Sequence, residues 1–333
     1  MLVQPAVGLL LATYVSALPS RQKPFDFKKL KALVAFGDSY TYVQGLLGHT
    51  NYTYIGDEFN ISFTPQELFS NRIVQNQTGT AEGGPNWVEY LTNCGVEPGF
   101  HDPRKCKIEL WDFAFAGADI STTLTPLHHN FTVSLERQIE QFVRYGNPAL
   151  SPHITKKHTL VALWIGINDI NDLAKQQPKN TSFAPLYENL QIQQFSLVQK
   201  IYDLGYRQFL FMNLPPLNRN PAPAVNASTV ATFNSILASH ATAFQSSHPD
   251  TRILQYDANS VLNDVLDDYA QYGYKNVTSF CPGYNQPDIA INPSKYGCTP
   301  LDTYFWYNSG HMTSKTHEVL AGFLGKWLGV KSQ

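Results

Sequence analysis

The chain has 333 residues, of which 15% are charged and 43% are hydrophobic, and its formal net charge at pH 7 is −2. This weakly acidic composition, without a basic run, argues against a nucleic-acid partner, and no basic amphipathic segment suggests stable membrane association. The length allows one large α/β domain or two small ones.

The first residues have the pattern of a secretory signal peptide. The apolar stretch 7–15 is too short to span a bilayer, and Val15-Ser16-Ala17 offers the small side chains that a signal peptidase requires. We therefore predict a signal peptide over 1–17 and a secreted, extracellular mature chain over 18–333; the alternative for this segment is a buried N-terminal helix. No later segment approaches about 20 consecutive apolar residues, so no transmembrane helix is predicted.

Cysteines and glycosylation motifs agree with secretion. The four cysteines allow three connectivities, and we predict the two local pairs, Cys94–Cys106 and Cys281–Cys298. A four-cysteine zinc site is disfavoured, because zinc ligands usually come in pairs only two to four residues apart. Asn-X-Ser/Thr motifs, the acceptors of N-glycans, begin at Asn51, Asn60, Asn76, Asn130, Asn180, Asn226 and Asn276.

Short apolar runs alternate with longer helical patterns along the rest of the chain. Continuous apolar runs indicate strands that are buried on both faces of a parallel sheet, and helices between them indicate right-handed crossovers. The pattern predicts a doubly wound, flavodoxin-like α/β/α three-layer sandwich with a five-stranded, mainly parallel sheet. The predicted strands are 32–36, 111–116, 159–165, 207–214 and 252–256, and the predicted helices are 186–204, 229–247, 259–272 and 314–328.

The mature chain contains no internal repeat and no linker-like shift in composition, so we predict a single domain over 18–333. The polar stretch 45–84 carries three glycosylation motifs and few apolar runs. We interpret it as a surface insertion near the end of the first strand.

Polar residues and glycines follow the first three predicted strands. Gly37-Asp38-Ser39 comes after the first, Ala114-Phe115-Ala116-Gly117 ends the second, and Gly166-Ile167-Asn168-Asp169 follows the third. In open α/β sheets, ligands bind at these carboxyl ends. Gly37 is expected to let the backbone turn sharply and present the Ser39 hydroxyl. Taken alone, such a serine also fits a helix N-cap.

With His311 just before the last predicted helix, these blocks resemble the SGNH hydrolase superfamily, also called GDSL esterases, over almost the whole mature chain. The resemblance implies that Ser39 is the nucleophile and His311 its base, with no cofactor and no metal. It implies an oxyanion hole formed by the backbone N–H groups of Ser39 and Gly117 and the side chain of Asn168. Asp38 and Asp169 are then anchors of their loops rather than the carboxylate pair of a glycosidase.

The sequence departs from this family beside the histidine. Asn308 occupies the position that usually holds an aspartate, and Met312 follows His311 where a proline is common. The Asn308 amide oxygen can still accept a hydrogen bond from His311. Alternatively, a backbone carbonyl or Asp302 orients His311, or the enzyme has weakened catalysis. His317 is a further histidine, which we expect to face the surroundings of the last helix.

A closer resemblance is to secreted acetylesterases of carbohydrate esterase family 16. It rests on the serine block Gly-Asp-Ser-Tyr at 37–40, on Asn213-Leu214-Pro215-Pro216-Leu217, and on Tyr304-Phe305-Trp306. Members remove acetyl groups from oligosaccharides of the plant cell wall. The resemblance implies deacetylation of such oligosaccharides through an acyl-enzyme. We separately expect the chain to be a monomer. A lipase or lysophospholipase acting on lipid acyl esters has the same four blocks. A non-enzymatic alternative is a carbohydrate-binding protein that has lost catalysis, because Asn308 replaces the usual aspartate.

Overall fold

The structure, a computed structural model, describes residues 25–178 and 181–332. The predicted signal peptide over 1–17 and the glycosylation motif at Asn180 lie outside these residues. No helix within the described ranges is long and apolar enough to cross a membrane.

Nine strands and nine α-helices are found in the described residues. The strands are β1 (Ala32–Gly37), β2 (Leu47–Gly48), β3 (Ile55–Gly56), β4 (Ile73–Gln75), β5 (Gly99–His101), β6 (Glu109–Asp112), β7 (Thr159–Trp164), β8 (Gln208–Met212) and β9 (Arg252–Tyr256). The helices are α1 (Pro65–Ser70), α2 (Trp87–Thr92), α3 (Leu135–Gln141), α4 (Asn147–Leu150), α5 (Ile167–Gln176), α6 (Ala184–Asp203), α7 (Ala227–Ser247), α8 (Ala258–Asp267) and α9 (Ser314–Lys331).

The central sheet has five parallel strands in the order β6-β1-β7-β8-β9. Every residue of β1 and β7 is buried, because helices cover both faces of the sheet. Helix α6 packs against α3 and α7, and α9 packs against α2 and α8, which gives two helical layers. The structure confirms the predicted three-layer α/β fold.

The order of the strands determines where a site can form. After β1 the chain continues to β6 on one side of it and then returns to β7 on the other side. Strand β1 is therefore the switch point of the sheet, where the loops at the carboxyl ends diverge and leave a crevice. The turn that carries Ser39 begins at this point.

The second predicted strand, 111–116, is displaced in the structure. Strand β6 ends at Asp112, because the Asp112 side chain accepts the N–H of Ala114 at 2.7 Å and interrupts the regular ladder. The backbone nevertheless continues along β1, where the Phe115 N–H donates to the Gly37 carbonyl at 3.1 Å. This pairing brings the Gly117 loop beside the Ser39 turn.

Not all of 45–84, which we interpreted as a surface insertion, lies on the surface. Tyr54, Leu68 and Ile73 belong to the main hydrophobic core, and Glu82 is also buried. The short strands β2 to β5 fold this polar stretch back onto the body of the protein. Apolar side chains spaced singly along the segment were too few to predict this packing.

Both predicted disulfides are present. Cys94 and Cys106 are bonded with a Cα–Cα distance of 5.5 Å, and Cys281 and Cys298 with 5.6 Å. The second disulfide packs against Tyr304, close to the loop that leads to His311. Because all four cysteines form disulfides, none is left as a zinc ligand.

Burial shifts the pKa of several carboxyl groups upwards in the folded state. Burial raises the pKa of Asp38 to about 7 and that of Asp119 to about 10, and it raises the pKa of Glu82 and Asp112 well above the ordinary range. Each has at least one buried oxygen without a hydrogen-bond partner among the described residues, which agrees with a protonated carboxyl group.

The raised pKa values of these carboxyl groups predict that the stability of the folded state falls as the pH rises. The unfolded carboxyl groups ionise near pH 4, so above that pH the folded state binds more protons and its stability falls as the pH increases. Burial lowers the pKa of His311 to about 4 and that of His317 to about 3, and these groups act oppositely, but only below their unfolded pKa of about 6.5. Above about pH 6.5 the histidines no longer contribute, and the carboxyl groups determine that stability falls as the pH rises.

We therefore expect the melting temperature to fall by about 4 °C or more between pH 6.5 and pH 8.5, measured by calorimetry or circular dichroism. Asp119→Asn removes one of the carboxyl groups that bind a proton in the folded state, so the melting temperature of this variant should fall less between pH 6.5 and pH 8.5. A melting temperature that stays constant or rises over the same interval would show that the buried carboxyl groups do not retain their protons.

Candidate active site

Ser39 lies in a tight turn directly after β1. The Asp38 carboxyl accepts the Tyr40 N–H at 3.0 Å, and the Asp38 carbonyl accepts the N–H groups of Thr41 and Tyr42 at 3.0 and 3.1 Å. Ser39 itself is 8% exposed. Asp38 thus holds the turn that places Ser39 at the carboxyl end of the sheet.

Gly37 is required for a reason other than the predicted sharp turn. It is the last residue of β1, and it does not have a positive φ angle. A Cβ atom at this position would lie 2.4 Å from the Trp164 carbonyl oxygen of β7. Gly37 therefore permits two strands to approach closely beneath the Ser39 turn.

The His311 loop is closed by its own hydrogen bonds before α9 begins. The Tyr307 N–H donates to the His311 carbonyl at 2.8 Å, and Thr313 caps the first turn of α9. The Tyr40 hydroxyl donates to the Gly310 carbonyl at 2.7 Å. Since Tyr40 follows Ser39, this bond ties the histidine loop to the serine turn.

Ser39, His311 and Asn308 form a continuous chain of contacts. Ser39 Oγ lies 2.8 Å from His311 Nε2, and His311 Nδ1 lies 3.0 Å from Asn308 Oδ1. The same Oδ1 accepts the backbone N–H groups of Gly310 and His311 at 2.9 Å, so the amide oxygen must face the histidine. An oxygen at this position requires a proton on Nδ1, which leaves the Nε2 lone pair for Ser39.

The contact between Asn308 and His311 is the one expected from the sequence, and Asp302 is exposed and does not replace it. Burial lowers the pKa of His311 to about 4. No described carboxylate forms an ion pair with His311 that would oppose this effect. The imidazole therefore stays neutral, and able to accept a proton, in mildly acidic solution.

Gly117 and Asn168 belong to segments that contact each other at the carboxyl end of the sheet. Gly117 adopts a φ of +84°, which an L side chain rarely accepts, and the Asn168 Nδ2 group donates to the Ala118 carbonyl at 2.9 Å. In the described part of the chain, no hydrogen bond is found for the backbone N–H of Ser39 or of Gly117. These groups can therefore donate to a substrate.

Asp169 has a different partner from the one expected. It does not hold its own loop, because it is part of α5, and instead its carboxylate accepts the Ile120 N–H at 3.0 Å and the Thr125 hydroxyl at 3.2 Å. Asp169 therefore fixes the segment that follows Gly117. The loop that it contacts is therefore the neighbouring one and not the Asn168 loop that the sequence analysis expected.

His317 is buried in α9 and does not reach Ser39. Its Nε2 lies 3.8 Å from Glu82 Oε1, and its ring packs against Tyr40 with a centroid distance of 5.7 Å. Neither the carboxyl oxygens of Glu82 nor the ring nitrogens of His317 have a hydrogen-bond partner among the described residues. His317 thus lies behind the site, separated from it by Tyr40.

Two residues beside the site were missed by the sequence analysis. His128 packs against Gly117, and its Nδ1 lies 3.0 Å from Asp172 Oδ2. Asp172 is four residues after Asn168 on α5, and so on the same helix face. A lone histidine in a polar loop gave no signal for this pairing, which depends on contacts between distant parts of the chain.

The chain is similar to known GDSL-type esterases. The model of the GDSL-like lipase/acylhydrolase family matches residues 33–323. An acetylesterase of Thermothelomyces thermophilus is 26% identical over 79% of this chain and 84% of its own length, and one of Hypocrea jecorina is 23% identical over 91% and 88%. A GDSL esterase/lipase of Arabidopsis thaliana is 26% identical over 90% and 86%.

Solved structures resemble this one only distantly. A putative GDSL-like lipase of Parabacteroides merdae has a TM-score of 0.45 and 12% identity, covering 94% of this chain and 100% of its own. This likeness carries no argument about activity. The family match, by contrast, includes Ser39, Gly117, Asn168 and His311 within its range. The chain therefore belongs to the GDSL-like lipase/acylhydrolase family and is a carboxylic ester hydrolase.

Proposed function

We propose that the protein is a secreted acetylesterase that removes acetyl groups from oligosaccharides of the plant cell wall, with Ser39 as nucleophile and His311 as base. The observation that carries the catalytic assignment is the chain of contacts from Ser39 Oγ through His311 to Asn308 Oδ1. The Asn308 oxygen, oriented by two backbone N–H groups, takes over from the usual aspartate as the acceptor of the Nδ1 proton, although without its negative charge.

The proposed reaction begins with attack of Ser39 Oγ on the ester carbonyl carbon. His311 Nε2 accepts the hydroxyl proton, and the carbonyl oxygen becomes an oxyanion within reach of donors from Ser39, Gly117 and Asn168. Collapse of this intermediate breaks the ester bond, and His311 returns the proton to the leaving alcohol oxygen. Water, activated by the same nitrogen, then hydrolyses the acyl-enzyme. No step requires a cofactor or metal.

The preference for acetyl groups is supported by the names of two relatives, which are acetylesterases aligned over most of their length. The sugar part of the substrate is supported by the motifs shared with carbohydrate esterase family 16. The relatives also include proteins named esterase/lipase, so a lipid acyl ester is the competing substrate.

Secretion is supported by two disulfides and by the positions of the glycosylation motifs. Five of the six described acceptor asparagines are exposed, and Asn276 is half-buried. Material secreted from a eukaryotic host should lose mass on enzymatic deglycosylation, whereas an unchanged mass would contradict this part of the proposal. We further propose that residues 18–333 form one monomeric domain, supported by a core that extends from Phe25 to Leu328.

The substrate proposal is tested with p-nitrophenyl esters of increasing acyl length together with acetylated xylo-oligosaccharides. We expect kcat/KM for the acetate to exceed that for the octanoate by at least about tenfold, and we expect acetate release from the oligosaccharides. A preference for long acyl chains, without acetate release, would identify a lipid acyl hydrolase instead.

A further inference from the structure

We propose that His128 binds a free hydroxyl group of the sugar beside the ester that is cleaved. This inference rests on the proposed function, because it assigns the residue that recognises the alcohol part of the same substrate. It follows from the position of His128, from the orientation that Asp172 imposes on its ring, and from the aromatic side chains that extend away from it.

The position of His128 is beside the proposed oxyanion hole. A Cβ atom on Gly117 would lie 3.4 Å from both Cβ and Cδ2 of His128, so the imidazole covers the α-carbon of Gly117. The His128 side chain is nevertheless 38% exposed. A group bound with its carbonyl oxygen at the Gly117 N–H therefore has the imidazole edge as an immediate neighbour.

The orientation of the ring is fixed by a carboxylate. Asp172 Oδ2 lies 3.0 Å from His128 Nδ1, and Asp172 Oδ1 lies 3.2 Å from Lys175 Nζ. Although burial acts to raise the pKa of Asp172, its bonds to His128 and Lys175 lower it on balance, so the group is ionised. An ionised carboxylate can only accept, and Nδ1 must therefore carry the proton.

The remaining nitrogen of His128 is available to a ligand. Nε2 has no hydrogen-bond partner among the described residues, and in the neutral imidazole it carries a lone pair. A sugar hydroxyl can donate to that lone pair, and in the imidazolium form Nε2–H can donate to the hydroxyl oxygen, whereas the acyl chain of a lipid offers no partner in either form. The pairing with Asp172 thus creates a hydrogen-bonding group of defined orientation next to the reacting carbonyl group.

Beyond His128 a row of rings continues across the surface. His129 lies 5.0 Å from His128 between ring centroids, Phe131 stacks on His129 at 5.1 Å, and His49 stacks on Phe131 at 4.3 Å. Tyr52 contacts both His129 and Phe131 edge to face. His129, Phe131, His49 and Tyr52 are all half-buried, so part of each remains open to contact the C–H groups of further sugar units.

The test compares two monoacetylated methyl xylosides, one with a free hydroxyl next to the acetyl ester and one in which that hydroxyl is replaced by hydrogen. The quantity measured is the ratio of kcat/KM for the hydroxylated substrate to kcat/KM for the deoxy substrate. His128→Phe keeps a ring beside Gly117 but removes both nitrogens. The matched control is His240→Phe, since His240 also pairs with a carboxylate, Glu188, at 2.7 Å on the α6–α7 surface.

We expect the wild-type ratio to be about tenfold, and His128→Phe to reduce it to nearly one, mainly through a higher KM for the hydroxylated xyloside. His240→Phe should keep the wild-type ratio. If His128→Phe also keeps it, the inference is overturned while the proposed function stands. If the wild-type enzyme hydrolyses p-nitrophenyl acetate but neither xyloside, the proposed function fails and this inference fails with it.

Discussion

Replacing Ser39 or His311 with alanine is expected to reduce kcat for p-nitrophenyl acetate by about 10⁴-fold or more, without unfolding the protein. Ser39 Oγ and His311 Nε2 are 2.8 Å apart and act on the same proton. Removing either group therefore removes the whole proton transfer. The double variant should be no less active than either single variant, because the two side chains act as one unit.

The matched control for these variants is His153→Ala. His153 pairs with Glu109 at 3.0 Å at the amino end of β6, whereas Ser39 lies at the carboxyl ends of the strands. This variant should keep wild-type turnover. Near-wild-type turnover by Ser39→Ala would disprove the assignment of the nucleophile, and additive losses in the double variant would show that His311 does not act through Ser39.

The second large effect is expected at Asn308. Asn308→Ala removes the acceptor of the His311 Nδ1–H and of two backbone N–H groups, so both the tautomer and the loop lose their anchor. We expect kcat to fall by about 10³–10⁴-fold, where the upper figure is the loss that the wrong histidine tautomer causes in a trypsin-like triad.

Asn308→Asp should restore most of this activity and change the pH profile. The carboxylate keeps an acceptor oxygen at Nδ1 but adds a negative charge, which stabilises the imidazolium and raises the pKa of His311 by about 1–3 units. In the wild type, the pKa of His311 is about 4, so the base becomes protonated only in acid. The acidic limb of kcat/KM should therefore move to higher pH in the aspartate variant.

The pH profile of each variant is measured with p-nitrophenyl acetate between pH 3.5 and pH 8. Asn308→Gln, with an amide that is longer by one methylene, serves as the control for charge, because it adds none. An acidic limb that stays unchanged in Asn308→Asp would mean that residue 308 does not contact His311 in the active enzyme.

The sequence predicted the fold because its strongest signals were local. Strand β9 has the predicted bounds, and β1 and β7 differ from them by a single residue, since continuous apolar runs correspond to strands buried on both faces. The second strand was misplaced because Asp112 lies inside an apolar run and uses its side chain to end the ladder. A single side-chain contact of this kind leaves no periodic pattern in the sequence from which it could be predicted.

The candidate site was predictable where motif and topology coincide. Ser39 and Asn168 follow adjacent strands, so the order of the sheet alone brings them together. The bonds of Tyr40 to the His311 loop and of Asp172 to His128 could not be predicted, because they join segments that are 270 and 44 residues apart and depend on side-chain direction. The burial of Glu82 was missed for the same reason.

The most direct test of Ser39 as an activated nucleophile is covalent labelling with a fluorophosphonate, followed by peptide mass spectrometry. The reagent forms a stable phosphonyl ester only with a serine whose proton is accepted by a neighbouring base. We predict a single labelled peptide carrying the adduct on Ser39, and no labelling of Ser39→Ala or His311→Ala. Labelling of another serine, or an unlabelled wild-type protein that still hydrolyses p-nitrophenyl acetate, would contradict the assignment of Ser39 and His311.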